Sequence, residues 1–352
     1  MIDLRSDTLT KPTTDMRHAM FRAQVGDEGR TDLRGRGEDQ TVNKLENLAA
    51  KITGKEEAIF LFSGTMANLV ALLTYCKRGQ SVCIDKNFHI YKNEKVGFLN
   101  EFGGLIPIFY NLSKYDIKKN FNNLQNFLKK KEIHLLCLEN SFNFGGGTCL
   151  NKDQIDSICF LSQKYKIPVH LDGARIFNAS QYLDIPVKEL VKSADSLMFC
   201  LSKGLSAPIG SLLCGKHDYI FKARKIKKLL GGTTRQAGIM AAAGIVALRK
   251  EIPRLVEDYE NARLLAKNIS HNKLIKLDLE TIQTNIIMID VSPSGHSAKT
   301  FQKDLKKRGL FVHLASEKHI RLVTYRGINK KDITIASSIF NEYCNFLKNI
   351  KK

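Results

Sequence analysis

Short apolar runs alternate with helical stretches along the first two thirds of this chain. The runs are rich in residues that favour β-strands. They are residues 58–62, 81–84, 105–109, 133–138, 167–171, 196–200 and 209–214. Strands that alternate with helices in this way are typical of an α/β domain with a mostly parallel sheet. The pattern therefore predicts a seven-stranded, mostly parallel sheet.

Helical periodicity occupies the segments between these runs and dominates the chain after residue 235. At 154–165, apolar residues recur at helical spacing before Pro168 returns the chain to a strand. Two long charged helices are predicted next, at 238–250 and 253–270. Beyond them the pattern predicts a small α+β unit. Its strands are expected at 285–291, 310–313 and 319–323, and its helices at 297–307 and 331–348.

The pattern divides the chain into three parts. A chain of 352 residues exceeds the usual size of one domain, so a large domain with a smaller one appended is expected. Residues 46–245 are predicted to form the large domain and 246–352 the small C-terminal domain. Residues 1–45 are rich in Gly and charge and show little periodicity. We expect them to form an arm that contributes to the small domain and to a dimer interface.

Composition indicates a soluble protein of a reducing compartment. Apolar residues make up 43% of the chain, and no run approaches the roughly 18 uninterrupted apolar residues that span a membrane. Residues 1–7 lack the features of a secretory signal, so a cytoplasmic location is expected. The eight cysteines are scattered without a CxxC pair, which is typical of core thiols and predicts no metal site.

The net charge of +20 raises the alternative of a nucleic-acid partner. The lysines, however, lie in short groups far apart in sequence, and no winged-helix, zinc-finger or aromatic RNP motif accompanies them. A basic nucleic-acid-binding protein therefore stays a remote alternative. The charge is better explained by a lysine-rich solvated surface.

The first candidate site is a tight turn between a predicted strand and an apolar helix. Residues 63–66 read Ser-Gly-Thr-Met and lead into the helix at 67–76. The start of a helix offers backbone N–H groups and a favourable dipole to a phosphate. An ordinary strand-to-helix turn with Ser63 as N-cap would explain the same residues. This turn alone leaves both interpretations open.

The second candidate site follows the apolar strand at 167–171. Asp172 ends this strand and Arg175 lies three residues further along. Ligands bind outside the carboxyl ends of strands in open parallel sheets, so both side chains are expected to face the cleft. A fixed carboxylate can keep the ring nitrogen of a pyridine cofactor protonated. An N-capping Asp followed by a surface Arg is the alternative.

The third candidate is Lys203, which follows the predicted strand at 196–200. It is flanked by Ser202 and Gly204 at the rim of the sheet. Burial and nearby cations lower the pKa of an amine, and a neutral amine can form an imine. With 55 Lys and Arg residues in the chain, a lysine is usually a surface charge. The order of phosphate turn, strand-end Asp and strand-end Lys is what distinguishes this one.

The ordered set resembles the threonine aldolase and β-eliminating lyase group of fold-type-I pyridoxal 5′-phosphate (PLP) enzymes. The resemblance covers nearly the whole chain. It is carried by residues 2–8, 37–39, 63–66, 89, 138–140, 170–175, 201–204, 231–232, 235–238 and 321–324. It implies a PLP-transferase-like large domain, a small C-terminal domain and PLP as cofactor.

The resemblance implies a cofactor role for each matching residue. Lys203 binds PLP as a Schiff base, Asp172 pairs with the ring nitrogen and His89 stacks on the ring. The remaining cofactor contacts are expected from Ser63, Gly64, Thr65, Arg175, Ser202 and Arg235. Enzymes of this group are dimers or tetramers with composite sites. Arg235 is therefore expected to come from a partner subunit.

The resemblance also implies a substrate and a reaction. Ser6, Arg175 and Arg321 would hold the α-carboxylate of an amino acid, which the planar guanidinium matches bidentately. The implied reaction cleaves a β-hydroxy-α-amino acid, such as threonine or allo-threonine, into glycine and an aldehyde. A related lyase that performs β-elimination, transaldolation or decarboxylation is the alternative. A non-catalytic scaffold would not need to keep Lys203, Asp172 and Arg175 together.

Three departures from the family pattern are expected on the substrate side. The usual histidine after Leu-Glu-Asn-Thr is Phe142, which cannot relay a proton. Arg36 replaces a tyrosine next to an apparent insertion at 30–35, and an extra cation there would favour an anionic group. Residues 231–234 read Gly-Gly-Thr-Thr instead of Gly-Gly-Gly-Met, while Lys228 matches a family lysine that could steer anions.

Overall fold

The strands lie in three sheets in the structure, a computed structural model that describes residues 1–112 and 115–350. The strands are β1 (Ile2–Asp3), β2 (Glu57–Leu61), β3 (Ser81–Ile84), β4 (Ile106–Phe109), β5 (Leu135–Glu139), β6 (Val169–Asp172), β7 (Ser196–Cys200), β8 (Ser211–Gly215), β9 (Ile286–Asp290), β10 (Leu310–Phe311), β11 (His313–Leu314) and β12 (His319–Val323). The largest sheet has seven strands in the order β2-β8-β7-β6-β5-β3-β4. Only β8 runs antiparallel to its neighbours. The predicted sheet is confirmed, and its strand ends lie within two residues of the predicted ones.

The described residues form twelve α-helices, of which several cover the two faces of this sheet and the last two pack in the small domain. They are α1 (Thr14–Phe21), α2 (Gln40–Thr53), α3 (Gly64–Tyr75), α4 (Ile117–Lys130), α5 (Lys152–Lys164), α6 (Ile176–Leu183), α7 (Val187–Leu190), α8 (His217–Leu229), α9 (Gly238–Val246), α10 (Leu255–Ile269), α11 (Ala298–Lys307) and α12 (Lys330–Ile350). Alternate residues of β2 belong to two apolar clusters, with Ile59 packed under α3 and α8 and Phe60 in the larger cluster. Apart from the edge strand β4, the strands of this sheet are buried, and burial on both faces explains why their runs are continuously apolar.

The carboxyl ends of six strands meet at one edge of the large sheet. β2 and β7 both run antiparallel to β8, so Leu61 and Cys200 lie at the same end, opposite Ser211. Parallel pairing of β3 to β7 brings Glu139 beside Asp172 at this edge. Segments that follow these strands therefore come together, although they are far apart in sequence. We call this side of the sheet the carboxyl edge.

The N-terminus packs against the C-terminal part of the chain. β1 pairs in parallel with β10, and Ile2 and Leu4 join an apolar cluster whose other members lie between residues 262 and 347. The strand predicted at 310–313 is divided, because Leu310 pairs with β1 whereas His313 pairs with β12 in a separate three-stranded antiparallel sheet. Residues 351 and 352 of the predicted small domain lie outside the described part of the chain.

Two helical predictions differ from the structure. α1 lies in the N-terminal segment, whose sequence shows little periodicity and predicts no particular helix; it starts after the N-cap Thr13, and Met16 is its only buried residue. One buried position leaves no periodic signal in the sequence. The helix predicted at 238–250 is α-helical only to Val246 and continues as a π-helical turn at Ala247–Glu251. In the described residues, no helix is both long and apolar enough to cross a membrane.

Candidate active site

The turn at 63–66 joins β2 to α3 at the carboxyl edge. The Ser63 hydroxyl accepts a hydrogen bond from the Met66 N–H at 3.1 Å and caps the helix. A Cβ on Gly64 would lie 3.0 Å from the Cys200 Sγ, so glycine permits the close approach of the helix to the end of β7. The N–H groups of Gly64 and Thr65 have no partner within the helix, which suits a phosphate.

Asp172 is buried at the end of β6 and both of its carboxylate oxygens are held. The Asn68 side chain donates to Oδ2 at 3.0 Å, and the Ala174 N–H donates to Oδ1 at 3.0 Å. A carboxylate has about four lone-pair sites, so it can accept a further hydrogen bond. A protonated ring nitrogen is therefore compatible with this carboxylate.

Lys203 follows β7 by three residues and is half-buried. Its carbonyl oxygen accepts hydrogen bonds from the Thr10 hydroxyl and the Ser206 N–H, each at 2.9 Å. Within the described part of the chain its amine has no ion-pair partner, although its charge contributes, after Arg175, to the lowered pKa of the nearby Asp7 carboxyl. An amine that forms no ion pair with a carboxylate is available to react with a carbonyl group.

His89 lies five residues beyond β3 and its ring is oriented by Glu94. The Nδ1 atom is 2.9 Å from the Glu94 Oε1, and the His89 backbone N–H donates to Glu139 at 2.5 Å. The ring of Phe144 lies nearly parallel to the imidazole, with 6.5 Å between ring centres. The imidazole is thus fixed in direction and in position.

Arg175 and Arg321 come together although 146 residues separate them in sequence. Both are buried, and both donate to the Asn143 Oδ1, at 3.4 Å and 3.0 Å. Arg175 also donates from Nε and Nη2 to the two oxygens of Asp7, at 2.7 Å and 2.8 Å. Burial and the adjacent Arg175 lower the pKa of Arg321 to about 10, so it stays charged at neutral pH.

The segment that contains Ser6 lies beside this arginine pair. The Ser6 hydroxyl accepts from the Thr8 N–H at 3.2 Å, and the Arg5 carbonyl lies 3.4 Å from the Arg321 Nη2. Asp7 is fully buried, and burial by itself would raise its pKa. The charge of Arg175 outweighs this effect and lowers the pKa of Asp7 to about 2.

Glu139 links three parts of the site. It ends β5 directly beside Asp172, and burial together with the Asp172 carboxylate raises its pKa. Its two oxygens accept the backbone N–H groups of His89 and Asn143, at 2.5 Å and 2.8 Å. One carboxyl therefore positions both the loop of the imidazole and the loop that joins the two arginines.

The other sequence-predicted residues lie elsewhere in the single chain. Arg36 does not reach the carboxyl edge, because its Nε pairs at 3.0 Å with Glu57, at the opposite end of β2. Arg235 is 82% exposed, with its Nε 3.4 Å from Asp27. Lys228 is exposed and lines a cavity of about 320 Å³ that is also lined by Arg224.

Two further sequence-predicted positions are Phe142 and Ser202. Phe142 is buried and packs edge-on against Phe88, with 5.7 Å between ring centres. Its ring also lies so close to Gly145 that a Cβ there would clash. The residue thus fills the core beneath the loop of Asn143. Ser202 is half-buried next to Lys203.

Several polar residues of the site were missed by sequence reasoning. They are Asp7, Asn68, Glu94, Glu139, Asn143 and Asn285. Glu139 was accessible by the argument used for Asp172, because it also ends an apolar strand. Asn68 carried no local signal, since an Asn within an apolar helix is not distinctive. In the residues that the structure describes, no cluster of three or more His, Cys, Asp or Glu side chains could hold a metal ion.

His170 is buried behind this edge and is predicted to make stability depend on pH. Burial lowers the pKa of His170 from 6.5 to about 4. Between pH 6.5 and pH 4, His170 is therefore protonated in the unfolded chain but neutral in the folded chain. Lowering the pH from 7 to 4 should therefore cost up to about 3 kcal/mol of folding free energy.

Urea denaturation at both pH values measures this effect in the wild type and in His170→Gln. The variant should lose that part of the pH dependence, whereas His271→Gln, at an exposed histidine, should keep it. Equal pH dependence in all three proteins would contradict a neutral buried His170.

The chain resembles known proteins over most of its length. The family model "Beta-eliminating lyase" matches residues 3–292. The chain belongs to this family. It is 38% identical over 352 residues to the probable low-specificity L-threonine aldolase 2 of Arabidopsis thaliana. This alignment covers 97% of this chain and 96% of the relative. It is 36% identical over 338 residues to the low specificity L-threonine aldolase of Escherichia coli K12, with 95% and 96% covered.

A solved structure extends the comparison for this member of the beta-eliminating lyase family. A putative L-allo-threonine aldolase from Listeria monocytogenes superposes with a TM-score of 0.77 at 18% identity, covering 93% of this chain and 92% of that one. At this identity the likeness concerns the fold alone. It agrees with the expected fold class, a PLP-transferase-like α/β domain with a smaller α+β domain.

Proposed function

We propose that the chain is a PLP-dependent aldolase that cleaves a β-hydroxy-α-amino acid, such as threonine or allo-threonine, into glycine and an aldehyde. The observation that carries the proposal is the Lys203 amine, which has no ion-pair partner among the described residues and lies at the same sheet edge as Asp172 and the start of α3. Full-length relatives named as threonine aldolases support the same reaction.

The residues at the carboxyl edge fit PLP. The start of α3 would hold the phosphate through the Gly64 and Thr65 N–H groups, with Ser63 shaping the turn. Asp172 would accept from the ring nitrogen and His89 would lie against the ring. Lys203 would bind the cofactor covalently. When bound, PLP supplies an electron sink that stabilises the carbanion left when a bond to the α-carbon breaks.

The buried arginine pair fits the α-carboxylate of the substrate. Arg321 is charged and its Nη1 is shared only with the neutral Asn143, so the guanidinium retains capacity for an anion. Arg175 donates to Asp7 through Nε and Nη2, so Nη1, which donates to Asn143, is the nitrogen that does not pair with Asp7. With Ser6 nearby, these groups would fix the substrate at its carboxylate end.

His89 is the residue that we propose to take the proton from the substrate hydroxyl. Glu94 occupies Nδ1, so Nε2 is the atom that is left to accept a proton. Removal of this proton allows the bond between the α- and β-carbons to break, with its electrons remaining on the α-carbon. The β-carbon leaves as the aldehyde, and protonation of the α-carbon gives glycine. The O–H and Cα–Cβ bonds break, the C=O bond of the aldehyde and a new Cα–H bond form, and no oxidant or reductant is needed.

A product assay tests the proposed function. The holoenzyme, incubated with L-threonine or L-allo-threonine, is expected to release glycine and acetaldehyde in equal amounts and only when PLP is present. Chromatography of the amino acids and a coupled aldehyde reductase measure the two products. A protein that binds PLP but forms no glycine from either substrate would contradict aldol cleavage of these substrates and favour β-elimination, transaldolation or decarboxylation. These alternatives are included because Phe142 replaces the usual histidine of the family and cannot relay a proton.

The wider setting of the enzyme is also a proposal. A homodimer or homotetramer with composite sites is supported by Arg235, which is 82% exposed in one chain and would reach the phosphate of a partner. Residues 1–45 would contribute to that interface. A cytoplasmic location is supported by the eight free cysteines, which suit a reducing compartment. We expect small amino-acid substrates and neither nucleic-acid nor membrane partners.

A further inference from the structure

Asn68 is a buried amide on α3 that contacts three side chains around the proposed cofactor site. Its Nδ2 donates to Asp172 at 3.0 Å and to both oxygens of Glu94 at 3.1 Å. Its Oδ1 lies 3.2 Å from the Nε2 of His170. Glu94 in turn accepts from His89. A single amide thus connects the proposed ring-nitrogen partner with the proposed ring-stacking imidazole.

The neighbours of Asn68 determine which way its amide faces. Two carboxylates lie on one side, and carboxylates only accept hydrogen bonds, so the NH₂ group must face them. The Oδ1 then faces His170, which must carry its proton on Nε2. The Nδ1 of His170 is left to accept from the Ser196 hydroxyl at 2.9 Å. The arrangement satisfies every donor and acceptor in only one orientation.

Two carboxylates would repel each other at this position without a donor between them. Each N–H of the amide offers a charge-assisted hydrogen bond to one carboxylate, and such bonds are short and directional. Because the site is buried, the loss of this donor would be little compensated by water. The positions of the Asp172 and Glu94 carboxylates therefore depend on Asn68.

We propose that Asn68 is a positioning residue that fixes the Asp172 and Glu94 carboxylates in one hydrogen-bonded arrangement and thereby aligns the ring-nitrogen partner and the ring-stacking His89 of the cofactor site. The inference rests on the proposed function, since it assumes that PLP binds at Asp172. His170 and Ser196 support Asn68 from behind by holding its Oδ1.

Two substitutions of similar size separate positioning from packing. Asn68→Leu removes the donor, and Asn68→Asp replaces it with a third carboxylate. The dissociation constant of PLP, titrated into the cofactor-free full chain, is expected to rise about tenfold in Asn68→Leu, the order for one hydrogen bond to a charged group, and further in Asn68→Asp. The pH midpoint of the absorption band of bound PLP should shift in both.

A matched control and a milder variant complete the test. Asn272→Asp changes another buried amide, in the small domain, and should lower stability without moving the PLP dissociation constant or the pH midpoint. Ser196→Ala removes only the hydroxyl that fixes His170. It should raise the PLP dissociation constant by a smaller factor than the Asn68 variants do. If those variants do not fold, Ser196→Ala tests the positioning role in their place.

The outcomes distinguish the two proposals. Wild-type affinity and an unshifted pH midpoint in the folded variants would overturn the positioning role of Asn68. If the Asn68 variants do not fold, wild-type values in Ser196→Ala would overturn it. Failure of the wild-type chain to bind PLP would instead overturn the proposed function.

Discussion

Replacing Lys203 with alanine abolishes the visible absorption of bound PLP and lowers aldolase turnover by at least about 10⁴-fold, the order of loss when a covalent nucleophile is removed. The reason is chemical, because the other candidate residues at the carboxyl edge carry no primary amine. Arg175, Arg321 and His89 can bind or accept protons, but they cannot replace this amine. Absorption spectra and the product assay measure the two losses.

The control for this prediction is another lysine of ordinary exposure. Lys299 lies on the surface of α11 in the small domain, so Lys299→Ala should retain both the absorption band and the turnover. Lys203→Ala should also remain folded, because its amine has no ion-pair partner among the described residues to leave unpaired. Retention of the band in Lys203→Ala would show that a different lysine holds the cofactor.

Substituting Asp7 with asparagine lowers the free energy of unfolding by about 3–5 kcal/mol, as measured by urea denaturation of the cofactor-free chain. Asp7 is fully buried and accepts two hydrogen bonds from Arg175 and a third from Asn285. The variant keeps the shape of the side chain but leaves the Arg175 charge buried and uncompensated. The expected loss is therefore much larger than the loss of one hydrogen bond.

The pH dependence identifies the same ion pair. The pKa of Asp7 is lowered from 3.8 to about 2, so its stabilising contribution is complete above about pH 4 and is lost as the pH falls towards 2. Asp7→Asn should lack this acid-dependent part. Asp15→Asn, which breaks an exposed pair with Lys250, should leave the unfolding midpoint unchanged. Equal stability of the wild type and Asp7→Asn would contradict a structural role for the pair.

The large sheet could be predicted from the sequence because burial on both faces makes its strands continuously apolar. Each strand run between 58 and 214 was recognisable without knowledge of its partners, and the turn residues fixed its ends to within two residues. The small domain was harder. The division of residues 310–314 between β10 and β11 depends on pairing with β1, which begins at residue 2. No local pattern reports such a distant partner.

The candidate site was only partly accessible for the same reason. Asp172 and Lys203 could be selected because each follows an apolar strand, and strand ends gather at one edge. Asp7, Asn143 and Asn68 act through contacts with residues tens to hundreds of positions away. Their polar side chains look ordinary in sequence.

The position of Arg36 could not be read from the sequence. As a departure from the family pattern it predicts an extra cation near the cleft, whereas in the single chain Arg36 pairs with Glu57, at the end of β2 far from Lys203. The sequence can predict that a residue precedes or follows a strand. It cannot predict at which end of the sheet an inserted loop packs.

The most direct test of the central claim is the location of the covalent bond between chain and cofactor. Borohydride treatment of the PLP-loaded enzyme makes that bond permanent, and mass spectrometry of the digested protein identifies the modified residue. We expect a single modified peptide, with the label on Lys203. A label on any other lysine, or a PLP-loaded protein without a modified lysine, would contradict it.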